Sequence, residues 1–135
     1  MNARVPSQVL QPELALQRVS QAWDSDIVRQ LTDYIAIPAK SPTFAADWAE
    51  LGLLDTVVRN AAAWVESQKV EGLTLEIVRL EGRTPVLFFE IAATQPNATD
   101  TVLMYGHLDK QPEFSGWRSD LGPWTLRQQI GRAHV

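Results

Sequence analysis

The 135-residue chain contains no cysteine. That excludes disulfides, a thiolate nucleophile and every zinc site built on sulfur, so a metal would have to be held by imidazole and carboxylate. Histidine is scarce as well, with two in the whole chain. Twelve basic residues face sixteen acidic ones, a formal charge of −4, and no stretch is a run of Lys and Arg. Nothing here suits a phosphate backbone, and nucleic acid is not expected as a partner. The amino terminus, "MNARVPSQVLQPELALQ", lacks the continuous apolar segment of a signal peptide, and no apolar run is long enough to cross a bilayer. The expectation is a soluble cytoplasmic protein with no membrane partner. There is no G-x-S-x-G elbow for a serine nucleophile and no G-x-G-x-x-G or Walker loop for a nucleotide.

What is present is an ordinary globular composition, 45% hydrophobic and 21% charged, enough for one domain or part of one. Residues 1–12 mix Pro, Gln and Ser without a period and read as a loose leader. From Trp23, with Asp24 or Ser25 as cap, the residues Ile27, Val28, Leu31, Tyr34 and Ile35 recur at helical spacing until Pro38 stops them. "IPAKSPTF" holds two prolines and predicts an extended or turning link. A second helix places Trp48, Leu51, Leu54, Val58, Ala61, Ala62 and Val65 on one face and Asp55, Arg59 and Glu66 toward solvent, with Lys69 near its end and Gly72 as its stop.

Beyond Gly72 the period shortens to two. Leu73, Leu75 and Ile77 alternate with Thr74 and Glu76, "EGRT" turns the chain, and Pro85 to Ala92 carries the nearly continuous apolar "VLFFEI". This predicts a hairpin whose second strand is the more buried. After the loop "TQPNATD", the unalternating "TVLMYG" predicts a third strand covered on both faces. The order helix, helix, strand, strand, strand fits an α/β sheet with helices packed on it.

The apolar run 102–105 leads directly into "GHLDKQP". His107 and Asp109 are two apart, so in an extended chain their side chains share a side, within reach of each other. A carboxylate that accepts one ring N–H fixes the tautomer and frees the other nitrogen to bind metal or move a proton. A structural hydrogen bond at a strand end explains the same pair.

"YGHLDKQPEFSGW", together with "GPWT" and "IAIPAKSPTF", resembles the di-zinc metallopeptidase family of glutamate carboxypeptidase, carnosinase-type dipeptidases, acetylornithine deacetylase and succinyl-diaminopimelate desuccinylase. The likeness spans about residues 24 to 125 and is nearest to the dipeptidase and carboxypeptidase-like members. It implies an α/β fold: the amino-terminal part of a zinc-peptidase catalytic domain, two helices followed by a mixed sheet of at least three strands, truncated. It further implies that His107 is a zinc ligand and that Asp109 is the catalytic carboxylate that orients and polarises it. Family members hold two zinc ions that share a bridging aspartate and a water, and a glutamate general base takes a proton from that water as it attacks an amide carbonyl. The implied substrates are dipeptides, carboxy-terminal residues or N-acyl amino acids, and homodimer formation is left open for the full-length protein.

The chain departs from the family in having no adjacent Glu-Glu pair and no later aspartate in a suitable setting. A catalytic zinc takes about three protein ligands, and His107 is one. The expected organisation is therefore a leader over 1–12, an amino-terminal fragment of the catalytic domain over 13–129, and a non-native tail over 130–135. Those last residues, Ile130 to Val135, match what the end of a common sequencing adapter encodes. His134 in that tail is not expected to be a ligand. On this reading the isolated chain is inactive, binds zinc weakly, and is poorly soluble or partly molten because its sheet edge is unpaired.

Lys110 and Gln111 read as a solvated loop sooner than as the lining of a cleft. Trp117 and Trp124 read as packing their own loop, and Asp120 is not assigned as a ligand. Lys40 and Ser41 receive no catalytic part. Asn97 matches a glycosylation acceptor of little meaning without a secretion signal, and Trp23, Trp48 and Trp64 read as core. The reading from another class is a non-catalytic α/β binding or interaction module in which His107 and Asp109 form a structural hydrogen bond.

Overall fold

The structure is a computed structural model that describes residues 11–95 and 97–127. The leader before residue 11, the tail 130–135 and His134 lie outside the described residues.

The first helix begins earlier than its hydrophobic period suggests. Gln11 is extended, Pro12 takes the first helical position, and Glu13 sits in the first turn, where its charge complements the helix dipole. Helix α1 runs Pro12–Ala22, passes through a single π-helical turn at Trp23–Ile27, and continues as α2, Val28–Ala36. Asp24 and Ser25 thus lie inside a continuous helix and do not cap one, and residue 12 belongs to the helix and not to a leader. No residue of α1 is buried, and Trp23 is 44% exposed, so Trp23 is not a core residue. The π turn has a local tie: the Asp26 carboxylate accepts from Trp64 Nε1 at 2.8 Å and from Gln30 Nε2 at 3.2 Å.

Pro38 ends α2 as expected, with Ile37 before it forced to an extended conformation. The second expected helix forms in two pieces, α3 at Trp48–Leu51 and α4 at Leu53–Ser67. Gly52 divides them with φ of 64°, a left-handed conformation that costs glycine little. Its N–H closes α3 on the Trp48 carbonyl, and its own carbonyl opens α4 by accepting from Thr56. Helix α4 stops at Ser67, before Gly72; Lys69 takes φ of 50° just beyond it.

Strands β1, Leu73–Val78, and β2, Val86–Ile91, pair antiparallel with Leu73 opposite Ile91 and Val78 opposite Val86. Arg83 N–H bonds the Leu80 carbonyl across the turn, and Gly82 supplies the positive φ the turn needs. The burial order is the reverse of the expected one. β1 alternates between half-buried and exposed positions because α4 packs chiefly on it, whereas in β2 only Leu87 is half-buried and Phe88 and Phe89 are 49% and 46% exposed.

Helices pack with a two-stranded sheet, so a mixed α/β architecture is present, and among the described residues no third strand joins it. Residues 101–106 form no strand, and Val102 to Tyr105 stand between 85% and 90% exposed. The apolar run has strand composition but, among the described residues, no strand beside it to complete the backbone hydrogen bonds a sheet requires.

The core sits between the helices. Ala39, Leu54 and Val57 are buried together, with Tyr34, Ile37, Trp48, Leu53 and Leu108 packed on them. No described helix is long and apolar enough to cross a membrane.

Candidate functional site

The segment that follows the exposed run docks firmly. Leu108 packs on the core, and its carbonyl accepts the Tyr34 hydroxyl at 2.9 Å. Lys110 forms a parallel bridge with Lys40: its N–H donates to the Ala39 carbonyl and its carbonyl accepts from Ser41 N–H, each at 2.9 Å. The end of α2 and the link after it therefore form the shelf on which residues 108–110 lie.

His107 and Asp109 meet at that shelf. His107 Nδ1 lies 3.1 Å from Asp109 Oδ1 and 3.0 Å from the Asp109 main-chain carbonyl. Both neighbours are acceptors only, so the ring proton belongs on Nδ1 and the Nε2 lone pair is left free. The imidazole is mostly exposed, at 64%, and the Asp109 side chain is 36% exposed.

Lys110 is not a solvated loop residue: it is half-buried, and it stands with Gln111 in the lining of the cavity beside the pair. Its ammonium donates to the carbonyls of Tyr34, Ile35 and Ile37, and it sits 4.1 Å from the centre of the Tyr34 ring and 5.7 Å from that of Trp124. Burial pulls its pKa down, while the carbonyls and aromatic faces around it favour the charged form. The Tyr34 hydroxyl is held above the usual tyrosine range, first by burial and then by the Asp109 charge, and so remains a donor to Leu108.

Beside the pair opens a shallow cavity of about 380 Å³ with Tyr34, Phe114, Trp117 and Trp124 among its walls and His107 and Asp109 at its lining. Trp117 and Trp124 thus do wall the space beside the pair, and Trp117 also packs its own loop by donating to the Phe114 carbonyl at 2.7 Å. A second groove of about 690 Å³ runs between α2 and α4, past Trp64 and Val57, and reaches His107 and Leu108. Gln111 is exposed. Asp120 is bound by Arg118 at 2.5 and 2.9 Å, a contact that lowers its pKa, and it does not line the cavity. Lys40 pairs with Glu113 at 3.3 Å, and Asn97 lies exposed in its loop.

The sequence reading missed Tyr34 and Lys110 as organisers of this junction. One signal was available: α2 has no cation in its last turn, and the lysine that fills that role follows the His-x-Asp element directly.

Among the described residues no group of three or more His, Asp and Glu side chains is arranged to hold a metal. His107 with Asp109 fits the role of one oriented ligand. No protein-family model matches the chain, and no curated protein matches it.

Proposed function

We propose that the chain forms the amino-terminal part of the catalytic domain of a zinc-dependent hydrolase that cleaves amide bonds in dipeptides, carboxy-terminal residues or N-acyl amino acids. The reading rests on the likeness of "YGHLDKQPEFSGW" to the di-zinc metallopeptidases. The one observation that carries it is the His107 ring, whose Nδ1 faces two acceptors and whose Nε2 has no partner among the described residues. A neutral imidazole in this tautomer, held by a carboxylate, is the form that ligates zinc. When bound, zinc would polarise the amide carbonyl and lower the pKa of a coordinated water. His107 would hold one ion, Asp109 would orient His107, and the aromatic walls of the cavity beside them would offer a substrate an apolar surface to pack on. The third strand of the expected sheet belongs to this proposal too: residues 101–106 would pair once the rest of such a domain is present.

The test is the coding sequence past residue 127, followed by assay of the protein it specifies. A Gly-rich segment with an aspartate and a later Glu-Glu pair is expected. In that protein Asp109→Ala should lower metal-dependent dipeptide hydrolysis by about 10- to 100-fold, the usual effect of losing a carboxylate behind a metal-bound histidine. His107→Ala should lower it further. Hydrolysis insensitive to both changes would overturn the reading.

One observation favours the alternative of a non-catalytic α/β module. His107 Nδ1 also reaches the Asp109 main-chain carbonyl, so the ring staples its own turn. On that alternative His107→Ala would cost about 1 kcal/mol of stability, the worth of a hydrogen bond, with no effect on any hydrolysis.

A further inference from the structure

Helix α2 carries no Lys, Arg or His in its last turn, yet its terminal carbonyls are satisfied by a cation from the other end of the sequence. The Lys110 ammonium has three N–H donors and no acceptor. It converges on three carbonyls, those of Tyr34, Ile35 and Ile37, with the face of the Tyr34 ring beside it. Its main-chain N–H and carbonyl are taken by Ala39 and Ser41. Lys110 is therefore fastened through side chain and backbone to a single stretch, residues 34–41. The opposite flank offers no such hold, because Val102 to Tyr105 are almost wholly exposed. The orientation of His107 is thus set from its carboxyl-terminal side: Lys110 fixes the backbone at Asp109, and Asp109 presents two acceptors to His107 Nδ1.

We propose that Lys110 is a positioning residue for His107, which by locking residues 108–110 onto the end of α2 holds Asp109 where it fixes the imidazole as the Nδ1–H tautomer. The geometry stands by itself; its meaning for catalysis rests on the zinc-hydrolase reading above. A compact ammonium suits a cradle of three converging carbonyls, whereas a guanidinium is a planar fork that spreads its donors.

The test is the tautomer of His107 in the metal-free chain, read from its two ring nitrogen resonances by long-range proton–nitrogen correlation on the alkaline plateau where both resonances have stopped changing with pH. His107→Gln assigns the signals. The wild-type chain should show a single Nδ1–H form. Lys110→Met keeps the apolar stem but removes the donors, and it should move both resonances toward the averaged values of a free histidine. Lys40→Met, which removes only the ammonium that pairs with Glu113, should leave them in place. A wild-type ring already averaged or in the Nε2–H form would overturn the proposal without any variant having to fold. So would a Lys110→Met spectrum identical to wild type, or an equal shift in Lys40→Met. Because no metal or substrate is used, failure here is separate from failure of the hydrolase reading, which the activity of the longer protein decides.

Discussion

Val102 to Tyr105 and Leu108 to Lys110 are close neighbours in the chain, and their surroundings are opposite. The first group is four apolar residues in a row, each at least 85% exposed. The second contains two charged residues, yet it packs on the core through Leu108, accepts the Tyr34 hydroxyl, and sinks the Lys110 ammonium into the end of α2. Hydrophobicity did not decide which of the two docks. Residues 108–110 meet a helix end with unsatisfied carbonyls and an extended link at Ala39 to Ser41 that can bridge with them. Residues 101–106 meet nothing among the described residues that could complete their backbone hydrogen bonds, and apolar content cannot substitute for that.

The sharpest way to break this contrast is to remove the support on the packed side. Leu54→Ala, in the cluster with Ala39 and Val57, is expected to cost about 2–5 kcal/mol in urea denaturation. With so few buried residues, a loss of that size approaches the whole stability of a small domain. A cost below about 1 kcal/mol would mean that the helical core is not what holds the molecule together.

A smaller effect is expected at the junction itself. Tyr34→Phe removes the hydroxyl from Leu108 and should cost about 0.5–1.5 kcal/mol. Tyr34 also gives the junction a pH dependence. Its folded pKa is raised by burial and by Asp109, so the folded state holds that proton more tightly than the unfolded state. The contribution is fully present below the ordinary tyrosine value of about 10 and is lost as pH rises through the higher folded value. Wild-type stability should therefore decline on the alkaline side more steeply than that of Tyr34→Phe, as measured by denaturation across that range. Parallel curves would show that the phenol does not sense the junction.

The smallest stability effect belongs to the exposed run. Leu103→Lys should change stability by no more than about 0.5 kcal/mol, since Leu103 is 90% exposed, while lowering the binding of an apolar fluorescent dye and raising solubility. A large loss of stability instead would show that residues 101–106 are packed in solution, and the comparison would collapse.

Much of the architecture was legible from local signals. The helices over 28–36 and 53–67 follow their 3.6-residue period, Pro38 ends the first, and the two-residue period of Leu73, Leu75 and Ile77 forms the expected strand. The misses share one cause. α1 has little apolar period, because a helix with no buried face needs none, and Pro12 with Glu13 was its only mark. The single helix expected from Trp48 to Val65 spans Gly52, whose positive φ separates α3 from α4. β2 looked the more buried strand because its residues are the more apolar, but burial depends on which strand α4 covers. At the candidate site the spacing of His107 and Asp109 already predicted that the two would meet, since that contact is local. Tyr34 and Lys110 lie 76 residues apart, and no periodicity reports such a pairing.

The sequence by itself determined the helix periods, the hairpin and the reach of Asp109 to His107, all of which rest on backbone geometry within a few residues. Only the tertiary structure decided that the end of α2 would be closed by Lys110, that this closure would orient the His–Asp pair, and that the apolar run before it would stay uncovered. The physical reason is that a helix end, an ammonium and a strand edge each need a partner, and whether one arrives is a property of the folded chain as a whole.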